Sequence, residues 1–114
     1  MKNEKILVIG AGGQLGTELT QVLWNLYGRQ NVIATDIKDP QGILSQGNFE
    51  ILDVLKQKHL YEFIDKNKIT QIFHLAAVLS ATGEKNPKFA WHLNMDGLVH
   101  VLDAAVEYKV RKIY

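Results

Sequence analysis

Lys5-Ile6-Leu7-Val8-Ile9-Gly10-Ala11-Gly12-Gly13-Gln14-Leu15-Gly16 is the stretch that decides how the rest of the chain is read. Ile6 to Gly10 shows no polar alternation, the mark of a strand covered on both faces in a parallel sheet. The glycine spacing that fits a cofactor turn is Gly10, Gly13 and Gly16, whereas the tighter pattern G-x-G-x-x-G started at Gly10 puts Leu15 in its last place. Three glycines so spaced meet three needs: a strand-to-helix turn free of Cβ restrictions, a backbone that a pyrophosphate can approach, and a helix packed hard on its strand. The unpaired N–H groups and positive end of that helix then face the phosphate.

Beyond the turn, Leu15, Leu19, Val22, Leu23 and Leu26 recur at three and four, which predicts a helix to Tyr27 whose apolar stripe packs on the sheet. Gly28 stands where that helix should stop. Residues 31–36 form a second apolar run ending at Asp36, which lies about 20 residues past the turn, where a ribose-binding acid is expected. A carboxylate there accepts hydrogen bonds from ribose hydroxyls and repels a 2′-phosphate, so the expected cofactor is NAD rather than NADP. Lys38, two residues on, is the feature that would tolerate a 2′-phosphate.

The length of 114 residues fits one ordinary domain, and 46% hydrophobic residues fits a globular core. A net charge of +1, with both signs mixed along the chain, leaves no footprint for nucleic acid or an anionic membrane. The absence of cysteine excludes disulfides, thiolate catalysis and thiolate metal sites, and no metal site is expected. No apolar run reaches the roughly 18 residues of a membrane span, and Met1-Lys2-Asn3-Glu4 leads straight into the first strand. A soluble cytoplasmic protein is the expectation.

Asp39-Pro40-Gln41-Gly42 breaks the second strand, and residues 38–46 read as a surface loop. Residues 48–52 read as a third strand ending at Asp53-Val54. Asp53 is a candidate acceptor for an adenine amino group and equally a candidate N-cap for a helix over residues 55–67, while Val54 is a candidate wall for the adenine. That helix turns Leu60, Phe63 and Ile64 inward. Residues 70–77 give a fourth strand and its following turn, with small Ala76 and Ala77 able to admit the nicotinamide side of a cofactor. His74, inside an apolar run, reads as a satisfied core histidine. Residues 79–87 form a polar loop at the carboxyl end of that strand, where ligands bind in such sheets.

Pro87 opens a helix to residue 108, with Phe89, Leu93, Gly97, Val101 and Ala105 on one face. Ala90, Leu98, Leu102 and Val106 widen the apolar arc, which predicts burial on two sides: against the sheet and against a partner helix in a homodimer formed through residues 87–108. Asn94 in mid-helix needs a local task. Residues 110–114 begin a fifth strand, so the fold class is α/β, a Rossmann-like doubly wound parallel sheet truncated at about the fifth strand. Tyr108 and Lys112 spell Y-x-x-x-K by chance, since a strand from Val110 separates two residues that such chemistry needs one helical turn apart.

With these residues in place, the chain resembles the extended short-chain dehydrogenase/reductase family, and within it the epimerase-like NAD-dependent L-threonine 3-dehydrogenases. The family's G-x-x-G-x-x-G matches Gly10, Gly13 and Gly16, its ribose acid Asp36, its D-V pair Asp53 and Val54, its small-residue motif Ala76 and Ala77, and its N-x-x-G helix motif Asn94 and Gly97. Narrower likeness lies in residues 26–28, in 31–37 and above all in the loop from Leu75 to Trp91. The resemblance implies cofactor contacts at Gly10, Gly13, Gln14, Leu15, Gly16, Asp36, Ile37, Asp53, Val54, Leu75, Ala76, Ala77 and Asn94, with Ser80 touching an amino-acid substrate, L-threonine. Ala11-Gly12 stands where the group often has alanine with cysteine or serine, a difference expected to be harmless.

The resemblance also places the family's catalytic Ser or Thr and its Tyr-x-x-x-Lys pair beyond the fifth strand. Residues 1–114 are therefore expected to be an incomplete NAD-binding domain, without catalytic residues and inactive alone. A nucleotide-sugar epimerase or dehydratase shares every cofactor residue and stays open as an alternative, as does a non-catalytic NAD-sensing module.

Overall fold

A computed structural model of the chain describes residues 4–75 and 87–114. Among the described residues, five strands lie in the order β3-β2-β1-β4-β5, and every neighbouring pair is parallel. They are β1 Ile6–Ile9, β2 Val32–Asp36, β3 Phe49–Ile51, β4 Gln71–His74 and β5 Lys112–Ile113. Among the described residues, the α-helices are α1 Gln14–Tyr27, α2 Gln57–Asn67 and α3 Pro87–Glu107.

All four residues of β1 are buried because both faces of the sheet are covered. Ile6 and Val8 join Leu23, Trp24, Val32 and Ala34 on the α1 side. Leu7 and Ile9 join Ile33, Leu60, Phe63 and Val101 on the side of α2 and α3. Strand order runs outward from β1 in one direction through β2 and β3, and in the other through β4 and β5. This is the Rossmann-like α/β arrangement expected from the glycine turn, and the reversal beside β1 opens a crevice at the carboxyl ends of the strands.

The packing face of α1 matches the expected one at Leu19 and Leu23, which pack on the sheet, and differs at the rest. Gly16, Thr20, Leu23 and Trp24 are buried, whereas Leu15 is 68% and Leu26 71% exposed, with Val22 also turned outward. Thr20 satisfies its hydroxyl on the Gly16 carbonyl at 2.7 Å, and Trp24 Nε1 donates to the Val32 carbonyl at 3.0 Å. A threonine and a tryptophan can thus face the core because their polar atoms are met there, and Gly16 must face it because the turn lies against it. The leucine periodicity marks a face offset by about one residue.

Two boundaries also shift. Residues 38–46, expected as a surface loop, contain a 3₁₀ turn at Gly42–Gln46 that buries Leu44 in the α1-side core. The second helix starts at Gln57, two residues after the expected Leu55, and Lys56 rather than Asp53 is its N-cap residue.

At the amino-terminal edge of the sheet, away from the crevice, Glu4 is buried. Its Oε1 accepts from Thr70 Oγ1 and Gln71 Nε2, each at 2.8 Å, and its Oε2 pairs with the Arg111 guanidinium. The Gln71 and Thr70 hydrogen bonds, with Arg111 behind them, bring the Glu4 carboxyl down to about 2. This cluster ties the start of β1 to β4 and to the approach of β5.

Candidate functional site

Gly10 leaves β1 at φ +84°, a left-handed conformation that side chains resist. Its N–H and that of Ala11 both donate to the Thr35 carbonyl at 2.9 Å, which fastens the turn to β2. A Cβ on Gly16 would stand 2.6 Å from the Gly10 carbonyl oxygen and 2.7 Å from Ala11 Cα, so only glycine lets α1 sit this close. Thr17 Oγ1 adds a bond to the Ala11 carbonyl at 3.0 Å.

Gly13 is the N-cap residue of α1, and a Cβ there would meet nothing within 4 Å. No side chain caps this helix end, and no acid lies in its first turn. The N–H groups of Gln14, Leu15 and Gly16 therefore point forward without intrahelical partners, at the positive end of the helix. The Gln14 and Leu15 side chains face solvent, so what these residues offer a ligand is backbone. A close backbone, open space in front and unneutralised donors fit a pyrophosphate.

Asp36 closes the second side of the crevice. Its Oδ2 accepts from the Gly12 N–H at 2.8 Å and its Oδ1 from the Ile37 N–H at 2.7 Å. The Ile37 side chain itself is exposed. Each carboxylate oxygen keeps lone-pair capacity toward solvent, enough for the two hydroxyls of a ribose. Gly12 is not an idle position, because a Cβ there would come within 2.6 Å of Asp36 Oδ2.

After β3, Asp53 Oδ1 accepts from the Leu55 N–H at 3.0 Å and forms a local turn ahead of α2. Val54 is held from the far side by α3. His100 Nδ1 donates to the Val54 carbonyl at 2.7 Å, and a Cβ on Gly97 would press within 2.9 Å of Val54 Cγ2. The N-x-x-G spacing thus has a physical basis, since Gly97 lets α3 approach the loop after β3. Asn94, one turn earlier on α3, is half-buried. Leu75 donates its N–H to the Ile9 carbonyl at 2.8 Å and continues β4 beside the glycine turn. Ala76, Ala77 and Ser80 lie outside the described residues.

The structure therefore brings Gly10, Gly13, Gln14, Leu15, Gly16, Asp36, Ile37, Asp53, Val54 and Leu75 to the carboxyl ends of β1 to β4. Sequence reasoning missed Gly12 and His100: neither falls in a periodic pattern, and their contacts join residues 24 and 46 positions apart. His74 closes β4, and its Nδ1, expected to be satisfied, is buried with no hydrogen-bond partner among the described residues. Burial lowers its pKa from the ordinary value. Tyr108 lies beyond α3 and Lys112 within β5, so they share no helix. The Tyr108 ring packs edge-on against Tyr61 at 5.7 Å, and burial, with Asp65 and Glu107, raises its phenol pKa, the opposite of what a base requires.

A parallel sheet with a glycine turn, a free helix N-terminus and an acid at the next strand end defines a dinucleotide-binding domain of the Rossmann class. More narrowly, the chain belongs to the NAD dependent epimerase/dehydratase family, whose sequence profile matches residues 6–114. NAD is accordingly its cofactor. An uncharacterised epimerase/dehydratase of Staphylococcus saprophyticus is 49% identical over 110 residues, which are 95% of this chain and 34% of that protein. The L-threonine dehydrogenase of Clostridium difficile superposes with a TM-score of 0.88 at 42% identity, over 98% of this chain and 36% of that one. A GalE-like L-threonine dehydrogenase from Cupriavidus necator, in its holo form, gives 0.86 at 42% identity, over 96% and 35% of the two chains. The chain spans about a third of the length of the relatives it matches.

Proposed function

We propose that the protein containing this chain is an L-threonine 3-dehydrogenase, and that residues 1–114 are the greater part of its NAD-binding domain. The observation that carries the reading is the join of the glycine turn to Asp36 through the Gly12 N–H, found in a chain 42% identical to solved L-threonine dehydrogenases. Backbone N–H groups from Gly13 to Gly16 hold the pyrophosphate, with Gly10 and Gly16 fixing the turn. Asp36 and Ile37 take the adenosine ribose, and Asp53 and Val54 flank the adenine. Leu75, Ala76, Ala77 and Asn94 are assigned further cofactor contacts, and Ser80 the substrate contact.

Bound NAD would supply a two-electron hydride acceptor for threonine C3, the overall reaction being L-threonine and NAD+ to 2-amino-3-oxobutanoate, NADH and a proton, and none of residues 1–114 is assigned the hydroxyl proton. The role of the present residues is to hold the cofactor's adenosine half and its pyrophosphate. Residues 1–114 by themselves are expected to give no turnover.

The outer face of α3 carries Trp91, Met95, Val99, Leu102 and Val106, all exposed and spaced at three and four. On this reading it is the homodimer contact of the whole protein. Absorbance of NADH formed by the full-length protein with L-threonine tests the function. Turnover of a nucleotide sugar, with none of L-threonine, would move the protein to the epimerase branch.

A further inference from the structure

We propose that Thr35 is a positioning residue for the cofactor, which fastens the glycine turn to the strand end bearing Asp36 and so fixes the spacing between the pyrophosphate donors and the ribose acid. The inference rests on the roles given above to the turn and to Asp36.

Thr35 is fully buried, in a strand whose preceding residues Val32, Ile33 and Ala34 are apolar and buried as well. Valine has the same branched shape, so packing alone does not call for a threonine here. A hydroxyl in a core costs free energy unless it is hydrogen-bonded, and this one donates to the Val8 carbonyl at 2.7 Å. The Thr35 carbonyl accepts two N–H groups, from Gly10 and from Ala11, each at 2.9 Å. Those two bonds occupy both of its lone pairs. This one residue of β2 is therefore tied to β1 before Ile9, at Val8, and again after it, at Gly10 and Ala11.

The next residue is Asp36, whose Oδ2 takes the Gly12 N–H at 2.8 Å. Ala11 is also held from α1, where Thr17 Oγ1 donates to its carbonyl at 3.0 Å. The bonds thus run from Asp36 through the turn into the first turn of the helix whose N–H groups face the pyrophosphate.

The carbonyl bonds leave one motion free, a rocking of the strand end about the Thr35 oxygen that trades the Gly10 bond against the Ala11 bond. The hydroxyl bond to Val8 lies off that pivot and stops it. With valine at position 35 the rocking returns, and Asp36 moves relative to the N–H groups of Gln14 to Gly16. A dinucleotide spans both, so it is the ligand that gains from having their spacing fixed in advance.

The test is calorimetric titration of NAD into five full-length proteins: wild type, Thr35→Val, Thr35→Ser, Asp36→Ala and the double variant Thr35→Val/Asp36→Ala. Thr35→Val should weaken NAD roughly fivefold, the scale of one neutral hydrogen bond, and Thr35→Ser, which keeps the hydroxyl, should stay within about twofold of wild type. In the Asp36→Ala background the valine should weaken NAD by less than about twofold, because the spacing no longer ends on an acid. Equal losses in both backgrounds would show a merely structural effect and overturn the proposal, as would unchanged NAD affinity in Thr35→Val or a Thr35→Ser protein as weak as Thr35→Val. If Asp36→Ala binds NAD as wild type does, the ribose role fails and the inference fails with it, whereas a loss in Asp36→Ala with none in Thr35→Val removes the inference alone. Amide hydrogen exchange reads the same contact without ligand: in Thr35→Val the Gly10 and Ala11 amides should exchange faster while those of α2 keep their wild-type rates, and faster exchange throughout would refute a local role.

Discussion

Alanine at position 16 would put a methyl carbon 2.6 Å from the Gly10 carbonyl oxygen, 2.7 Å from Ala11 Cα and 2.9 Å from the Ala11 carbonyl carbon. All three are backbone atoms of the turn, so no rotamer change relieves the contact and α1 must lift off β1. Overpacking of this kind costs roughly 1–3 kcal/mol. The intrinsic helix preference of alanine over glycine returns about 1 kcal/mol. Because the obstacle is backbone on every side, the upper end of the first figure applies, and Gly16→Ala should lose about 2 kcal/mol net. Urea denaturation of the full-length protein reads this as a midpoint lower by about 1 M, given slopes of about 1–3 kcal/mol/M. NAD affinity should fall with it, since the N–H groups of Gln14 to Gly16 move with the helix. Gly13→Ala makes the contrast. Its Cβ meets nothing within 4 Å, so the midpoint should fall by less than in Gly16→Ala, reflecting the roughly 0.5–1 kcal/mol that alanine costs against glycine at an N-cap, while the methyl group stands in the open front of the turn and weakens NAD at least tenfold. A Gly16→Ala protein as stable as wild type, or a Gly13→Ala protein less stable than Gly16→Ala, would refute this account of the turn.

The Glu4 cluster should act as an acid-labile clip. A carboxyl held near 2 in the folded chain, against an ordinary 4.5, contributes stability that is complete above pH 4.5 and lost as pH falls toward 2. Glu4→Gln should lower the denaturation midpoint at pH 7 and flatten that acid limb. His74 works from the other direction: the unfolded chain takes up a proton near pH 6.5 and the folded chain only at lower pH, so stability is full above 6.5 and declines as pH drops below it. His74→Leu should flatten the fall in midpoint between pH 7 and pH 5, and an unaltered slope would remove His74 as its source. His100→Leu takes the donor from the Val54 carbonyl, at a cost of about 1 kcal/mol. It should weaken AMP, which carries the adenine, more than nicotinamide mononucleotide, and equal effects on the two would show that the loop after β3 is not held for the adenine.

Much of the architecture could be read without coordinates. The unbroken apolar run Ile6 to Ile9 implied two covered faces, and both are covered. The turn spacing, the stop at Gly28 and Asp36 at the end of β2 needed only local chemistry, because each is a demand the backbone makes on one residue or on its near neighbours. The chance pairing of Tyr108 with Lys112 could be dismissed in advance for the same reason, since a helix cannot continue through the strand they span.

Other features depend on contacts distant in sequence, and there periodicity had nothing to measure. The packing face of α1 was read correctly at Leu19 and Leu23 and misread at Leu15, Val22 and Leu26, because a leucine count weighs apolarity alone. The true face carries Gly16 for its lack of volume, and Thr20 and Trp24 because carbonyls at Gly16 and Val32 receive their polar hydrogens. Leu44 looked like loop and is core, since only the folded chain shows which surface it lies over. Glu4, Thr70, Gln71 and Arg111 are unremarkable apart and form one network when β1, β4 and the approach to β5 align. The sequence by itself determined that this chain turns a phosphate-sized opening toward a helix end and follows it with an acid. The tertiary structure alone decided that the acid is held by Gly12 and the loop after β3 by His100, because those bonds close over 24 and 46 residues and only the assembled sheet brings their ends together.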